Sequence, residues 1–93
     1  DMVREHLDKV AVVFGGKVVA VALELFKRLD KRVYQSKSPR VVTATLAYLA
    51  TRRLGMKVRK RAIAAILGVS ALSIRDTAYR FRKHLQGRSK ARA

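Results

Sequence analysis

Cysteine is absent from the 93 residues. That excludes disulfides, thiol nucleophiles and any cysteine-ligated zinc site, and it fits a reducing cytosol. A single proline and five glycines interrupt the chain, so long stretches are open to helix. The longest near-apolar stretch, 41–50, is broken by Thr43 and Thr45 and falls far short of the roughly 20 residues a membrane span needs. No membrane partner is expected. The polar start, Asp1-Met2-Val3-Arg4-Glu5, is not a signal peptide. A first residue other than methionine leaves open that the chain is part of a longer one. Asparagine is missing too, beside abundant Arg, Lys and Ala, which fits a thermophile's composition.

Catalytic groupings are also lacking. His6 and His84 stand apart, with no cysteine or paired carboxylate beside them, so no metal site is expected. The acids form no general acid/base pair, and the hydroxyl residues have no base-and-orienter set. Neither enzymatic activity nor a cofactor is expected.

Acidic residues are the other scarcity: six Asp and Glu face twenty-two Lys and Arg, a net charge of +16. Beyond residue 50 only Asp76 is acidic, against thirteen basic residues. Such a surface repels itself, and a polyanion relieves the repulsion. Nucleic acid is the first candidate, ahead of an anionic membrane and an acidic protein. Charge alone is a footprint, equally compatible with a generally basic surface. The hydrophobic share, 49%, is enough for one modest core in one domain.

Hydrophobic spacing predicts five helices and an all-α bundle, with no internal repeat. The first covers about 2–14, with Val3, Leu7, Val10 and Phe14 on one stripe. Gly15-Gly16 ends it; the pair lacks the spacing and the Lys-Ser/Thr of a phosphate loop. The second covers about 17–34, burying Val18, Ala22, Leu25, Phe26, Leu29 and Val33. After a polar connector at 35–37, Ser38 caps a third helix that has Pro39 at its first position. This helix is apolar around most of its circumference, so it lies among the others, and it exits through Leu54 to Gly55. The fourth covers about 59–67, with Ala62, Ile63, Ile66 and Leu67 as its core face. The fifth covers about 71–85. The domain is 1–86, and the basic tail 87–93 is expected to be frayed or disordered.

The most informative segment is 62–81. A short helix of small residues meets Gly68, Val69 plugs the gap, and the hydroxyl of Ser70 opens a longer helix. That is the pattern of a helix-turn-helix, here about 59–85. On the longer helix Ile74, Ala78, Phe81 and Leu85 point inward. Leu72, Arg75, Tyr79 and Arg82 form a different, outward face. Residues near the start of such a helix reach base edges in the major groove. Arg75 is placed to donate two hydrogen bonds to guanine, and Leu72 to touch a thymine methyl or a sugar. Ser73 can reach a base or phosphate, and Tyr79 either reaches a base or covers the edge of the core. Arg59, Lys60, Arg61, Ser70 and Arg82 are candidate phosphate contacts, which position without specifying sequence. Arg52, Arg53 and Lys57 belong to the same basic group; Arg52 and Lys57 read as solvated charge.

Two of these motifs resemble a known family. Ser38-Pro39 followed by Leu46-Ala47-Tyr48-Leu49-Ala50 is similar to the SP…AAAIYIA stretch of the cyclin-like repeats in archaeal transcription factor B and eukaryotic transcription initiation factor IIB. Ile63-Ala64-x-x-x-Gly68-Val69-Ser70-x-Leu72-Ser73-Ile74-Arg75 resembles the IA…GV(S/T)xVTIR helix-turn-helix of the second repeat. Two differences stand out: Arg59-Lys60 replaces Thr-Gln, and Ala78 occupies a common tyrosine position, with Tyr79 one place on. The resemblance implies a five-helix cyclin-like bundle with the third helix central. It implies a helix-turn-helix that reads the B recognition element upstream of the TATA box, with Leu72, Ser73 and Arg75 at the family's base-reading positions. The implied partners are double-stranded promoter DNA, the TATA-binding protein and, through the parent protein, RNA polymerase. The domain would act as a monomer in the cytoplasm, on the nucleoid of an archaeon. The other readings are a stand-alone helix-turn-helix regulator and a cyclin-like module that binds proteins.

Overall fold

The structure, a computed structural model, describes residues 2–92, with side chains as far as residue 86. The expected tail disorder, at 87–93, lies outside the residues described in full. Among the described residues six helices follow one another: α1 (Met2–Phe14), α2 (Gly16–Arg28), α3 (Lys31–Tyr34), α4 (Pro39–Arg53), α5 (Lys60–Leu67) and α6 (Ala71–Arg92).

α4 is the centre of the bundle and packs against α1, α2, α5 and α6. Its start follows local rules. The Ser38 hydroxyl accepts the Val41 N–H at 3.2 Å, and Pro39 supplies the first helical residue without forfeiting a hydrogen bond. Every residue from 42 to 51 is buried. That run includes three threonines, whose hydroxyls must be satisfied away from water. Each turns back on its own helix: Thr43 donates to the Pro39 carbonyl at 2.7 Å, Thr45 to Val41 at 2.8 Å and Thr51 to Tyr48 at 2.8 Å. Thr43 also lies 3.4 Å from the Val3 carbonyl of α1. Among the described residues no buried side-chain polar atom lacks a partner.

The helix expected over 17–34 is divided. Leu29 and Asp30 are extended, with ψ of 138° and 136°. Asp30 Oδ1 accepts the Arg32 N–H at 2.9 Å and caps the one-turn α3. An aspartate offers the backbone such a local alternative and is a better cap than a helix-interior residue. The Asp30 N–H, which a continuous helix would have used, donates to Nε2 of His84 on α6 at 3.2 Å. The break also leaves Leu29 buried in the core and sets α3 against α6. His84 is therefore a structural acceptor. The backbone and side chain of Arg32 hold the Asp30 carboxyl below the usual carboxylate range.

One core assignment in α5 also changes. Ala62 is exposed and Ala64 is buried beside Ile63 and Leu67. This short helix packs against α4 and α6 and also meets α1, so its inner face is the one these neighbours cover.

Candidate nucleic-acid interface

The chain bends by 109° between Lys60–Leu67 and residues 71–86, within the roughly 90–120° of helix-turn-helix units. Gly68 makes the bend possible. It ends α5 in the left-handed conformation, φ 67° and ψ 38°, and the Val69 N–H folds back to the Ala64 carbonyl at 3.0 Å. A side chain at Gly68 would meet only the tip of Arg40, at 3.9 Å, so the restriction is conformational and not steric. Gly68→Ala is expected to cost about 1–2 kcal/mol of stability, the usual penalty of that conformation for an L-residue. Gly68→Asn should cost less. Urea unfolding reads both, and a neutral Gly68→Ala would mean that the turn is not left-handed.

Ser70 opens α6 as the spacing predicts. Its hydroxyl accepts the Ser73 N–H at 3.0 Å and donates to the Ser73 hydroxyl at 2.8 Å. The two serines assigned to phosphate and base are thus tied into one helix cap. Val69 is half-buried against the core.

α6 then separates into two faces. Ile74, Ala78 and Phe81 are fully buried, and Thr77 joins them. Leu72 and Tyr79 are 57% and 63% exposed, and Arg75 and Arg82 are exposed with them. Single exposed apolar residues are common on protein surfaces; what sets these apart is that they share one helix face with the exposed Arg75 and Arg82. Arg75 Nη2 lies 3.3 Å from Asp76 Oδ1, both side chains largely in water. Such a pair is worth little and constrains Arg75 weakly.

The second basic group converges on Tyr48. Arg59, Lys60 and Arg61 line a cavity of about 460 Å³ together with Tyr48, Arg52, Val58 and Ala71. Lys60 Nζ sits 4.9 Å from the centre of the Tyr48 ring. Arg52 donates from Nη1 to the Tyr48 hydroxyl at 3.2 Å, with its guanidinium carbon 5.7 Å from the ring centre. Cations favour the ring face in this way. Burial pushes the Tyr48 hydroxyl up, but the Lys60 and Arg52 cations outweigh it and leave it below the usual tyrosine range. Among the described residues none of these four cations has a carboxylate partner. Arg52 is exposed, as its spacing suggests, and it also stands at the edge of this niche. Tyr48 escapes the sequence reading because it sits in an apolar run; its separation of four from Arg52 was the available signal.

Among the described residues no group of His, Asp or Glu could hold a metal ion, and no single helix is long and apolar enough to cross a membrane. The family pattern of the transcription factor TFIIB repeat matches residues 8–84. No curated protein and no solved structure matches the chain. The matched span runs from within α1 to residue 84 of α6 and takes in α5, the Gly68 turn and the first fourteen residues of α6. This chain belongs to the transcription factor TFIIB repeat family, an all-helical, cyclin-like domain of general transcription factors.

Proposed function

We propose that this repeat binds promoter DNA by laying the start of α6 in the major groove at the B recognition element upstream of TATA. There it contacts the TATA-binding protein and, within its parent protein, helps to recruit RNA polymerase. The single observation that carries the reading is the exposed crest of Leu72, Arg75 and Tyr79 on the second helix of a helix-turn-helix. Arg75 reads a guanine through its two-pronged guanidinium, and Leu72 packs on a thymine methyl. Ser73 and Tyr79 complete the base-facing set, with the Ser73 hydroxyl first leaving Ser70. Arg59, Lys60, Arg61, Ser70 and Arg82 hold phosphates and set the register. The cations around Tyr48 support this assignment, because among the described residues no carboxylate pairs with them. The domain binds as a monomer, one reading helix to one site.

The test is a mobility shift on a TATA-containing duplex with and without the TATA-binding protein, varying the bases upstream of TATA. Binding should tighten with the partner present and weaken several-fold when the upstream bases are scrambled. Binding indifferent to both would overturn the reading. A twofold-symmetric complex on two half-sites would instead identify a stand-alone regulator.

A further inference from the structure

The exposed arc of α6 is wider than the four residues selected by spacing. Asp76, Arg80 and Lys83 are exposed as well. Together with Tyr79 and Lys37, which arrives from the connector before α4, they line a cavity of about 480 Å³. Lys83 Nζ lies 5.7 Å from the centre of the Tyr79 ring. Asp76 is the one acid in this cavity, and its Oδ1 is engaged by Arg75 at 3.3 Å. Among the described residues Lys37, Arg80 and Lys83 have no carboxylate ion-pair partner.

The position of this cavity relative to the Tyr48 niche follows from helix geometry. Ala71 lines the Tyr48 niche and Arg80 lines the second cavity. Nine residues at about 100° each place the two on opposite flanks of α6. Leu72 and Tyr79, seven residues apart, stand on the crest between them, and Arg82 falls on the Ala71 flank. A helix seated in a major groove has one phosphate strand on each side. A cationic niche on each flank of an exposed crest matches that arrangement.

We infer that Lys37, Arg80 and Lys83 form a second phosphate seat, holding the DNA strand opposite the one held by Arg59, Arg61 and Arg82, so that α6 straddles the groove. The inference rests on the helix-turn-helix reading and extends it to residues that reading leaves unused. The ligand chemistry is a phosphodiester; free phosphate is the other source of the same chemistry.

The experiment is fluorescence anisotropy of the full chain on a mixed-sequence duplex and on its single strand, over a range of salt. Lys37→Ala/Arg80→Ala/Lys83→Ala should reduce the slope of log affinity against log salt by about 2–3, at roughly 0.9 per phosphate lost. Arg59→Ala/Arg61→Ala/Arg82→Ala should do the same, and on duplex the two losses should add. On single strand, which offers one line of phosphates, the second set should add little to the first. Lys37 is half-buried, so Arg80→Ala/Lys83→Ala, with an unchanged melting temperature and a loss of about 2 in slope, carries the test if the triple variant is unstable. A wild-type slope in these variants overturns the seat while leaving the helix-turn-helix reading intact. So does full additivity on single strand, or a loss of inorganic-phosphate binding in Arg80→Ala/Lys83→Ala without any loss of duplex affinity. Tight binding of an acidic protein surface in preference to duplex, or no binding of duplex by the unmodified protein, overturns both.

Discussion

Replacing Phe81 with alanine is expected to lower the unfolding free energy by about 3–5 kcal/mol. Phe81 has no exposed surface and is among the largest fully buried side chains of the core. It lies on the inner face of α6, which packs on the central α4. Truncating it removes the transfer energy of an aromatic ring and leaves a cavity that close-packed helices cannot fill. A domain of this size has a total stability of about 5–14 kcal/mol, at roughly 0.05–0.15 kcal/mol per residue, so a large share goes with one ring. At about 4–8 °C per kcal/mol the thermal midpoint should fall by tens of degrees. Circular dichroism melts measure it. Leu72→Ala is the control: it lies on the same helix but is 57% exposed, and it should melt with the unmodified protein. If both variants melted alike, the division of α6 into a core face and a crest would be wrong.

Arg75→Ala has the opposite profile: an unchanged melt and a loss of about 1–3 kcal/mol in binding to the cognate upstream element, the value of one bidentate base contact. The exposed pair with Asp76, at 3.3 Å, does not offset this, since surface pairs contribute about 0–1 kcal/mol and Arg75 can leave cheaply. Arg75→Lys should recover only part of the loss, because an ammonium is a rotatable point charge and not the planar, pre-organised fork of a guanidinium. The decisive comparison is with scrambled duplex, where Arg75→Ala should change affinity far less. An equal loss on both sequences would make Arg75 a phosphate contact and remove base reading from the proposal.

These two variants divide α6 between a core face and an exposed face, and that division is visible in residue spacing. Ile74, Ala78 and Phe81 recur at intervals of four and three, and all three are buried. The turn is equally legible. Gly68 is needed for a positive φ, and Ser70 for a side-chain oxygen that meets the N–H three residues on. The start of α4 at Ser38-Pro39 follows for the same reason. The resemblance to the cyclin-like repeats rests on these same local patterns, and the family match over residues 8–84 bears it out.

Other features depend on partners that the neighbouring sequence does not name. Periodicity carries a helix through Leu29 and Asp30, because both suit the apolar-polar pattern of α2. The break is stabilised by His84, 54 residues away. Thr43 and Thr45 look like interruptions of an apolar run, yet they are buried because the helix carbonyls below them accept their hydroxyl protons.

Charge shows the same divide most clearly. The excess of Lys and Arg, the all-helical class and the helix-turn-helix follow from composition and from rules that act within one or two helical turns. Which cations stand together is a matter of tertiary packing. Arg52 joins Lys60 because α5 packs beside the end of α4, and Lys37 joins Arg80 and Lys83 because the chain before α4 passes alongside α6. A long side chain spans only a few ångströms, so its partners are set by how helices cross, and that is decided by the core as a whole.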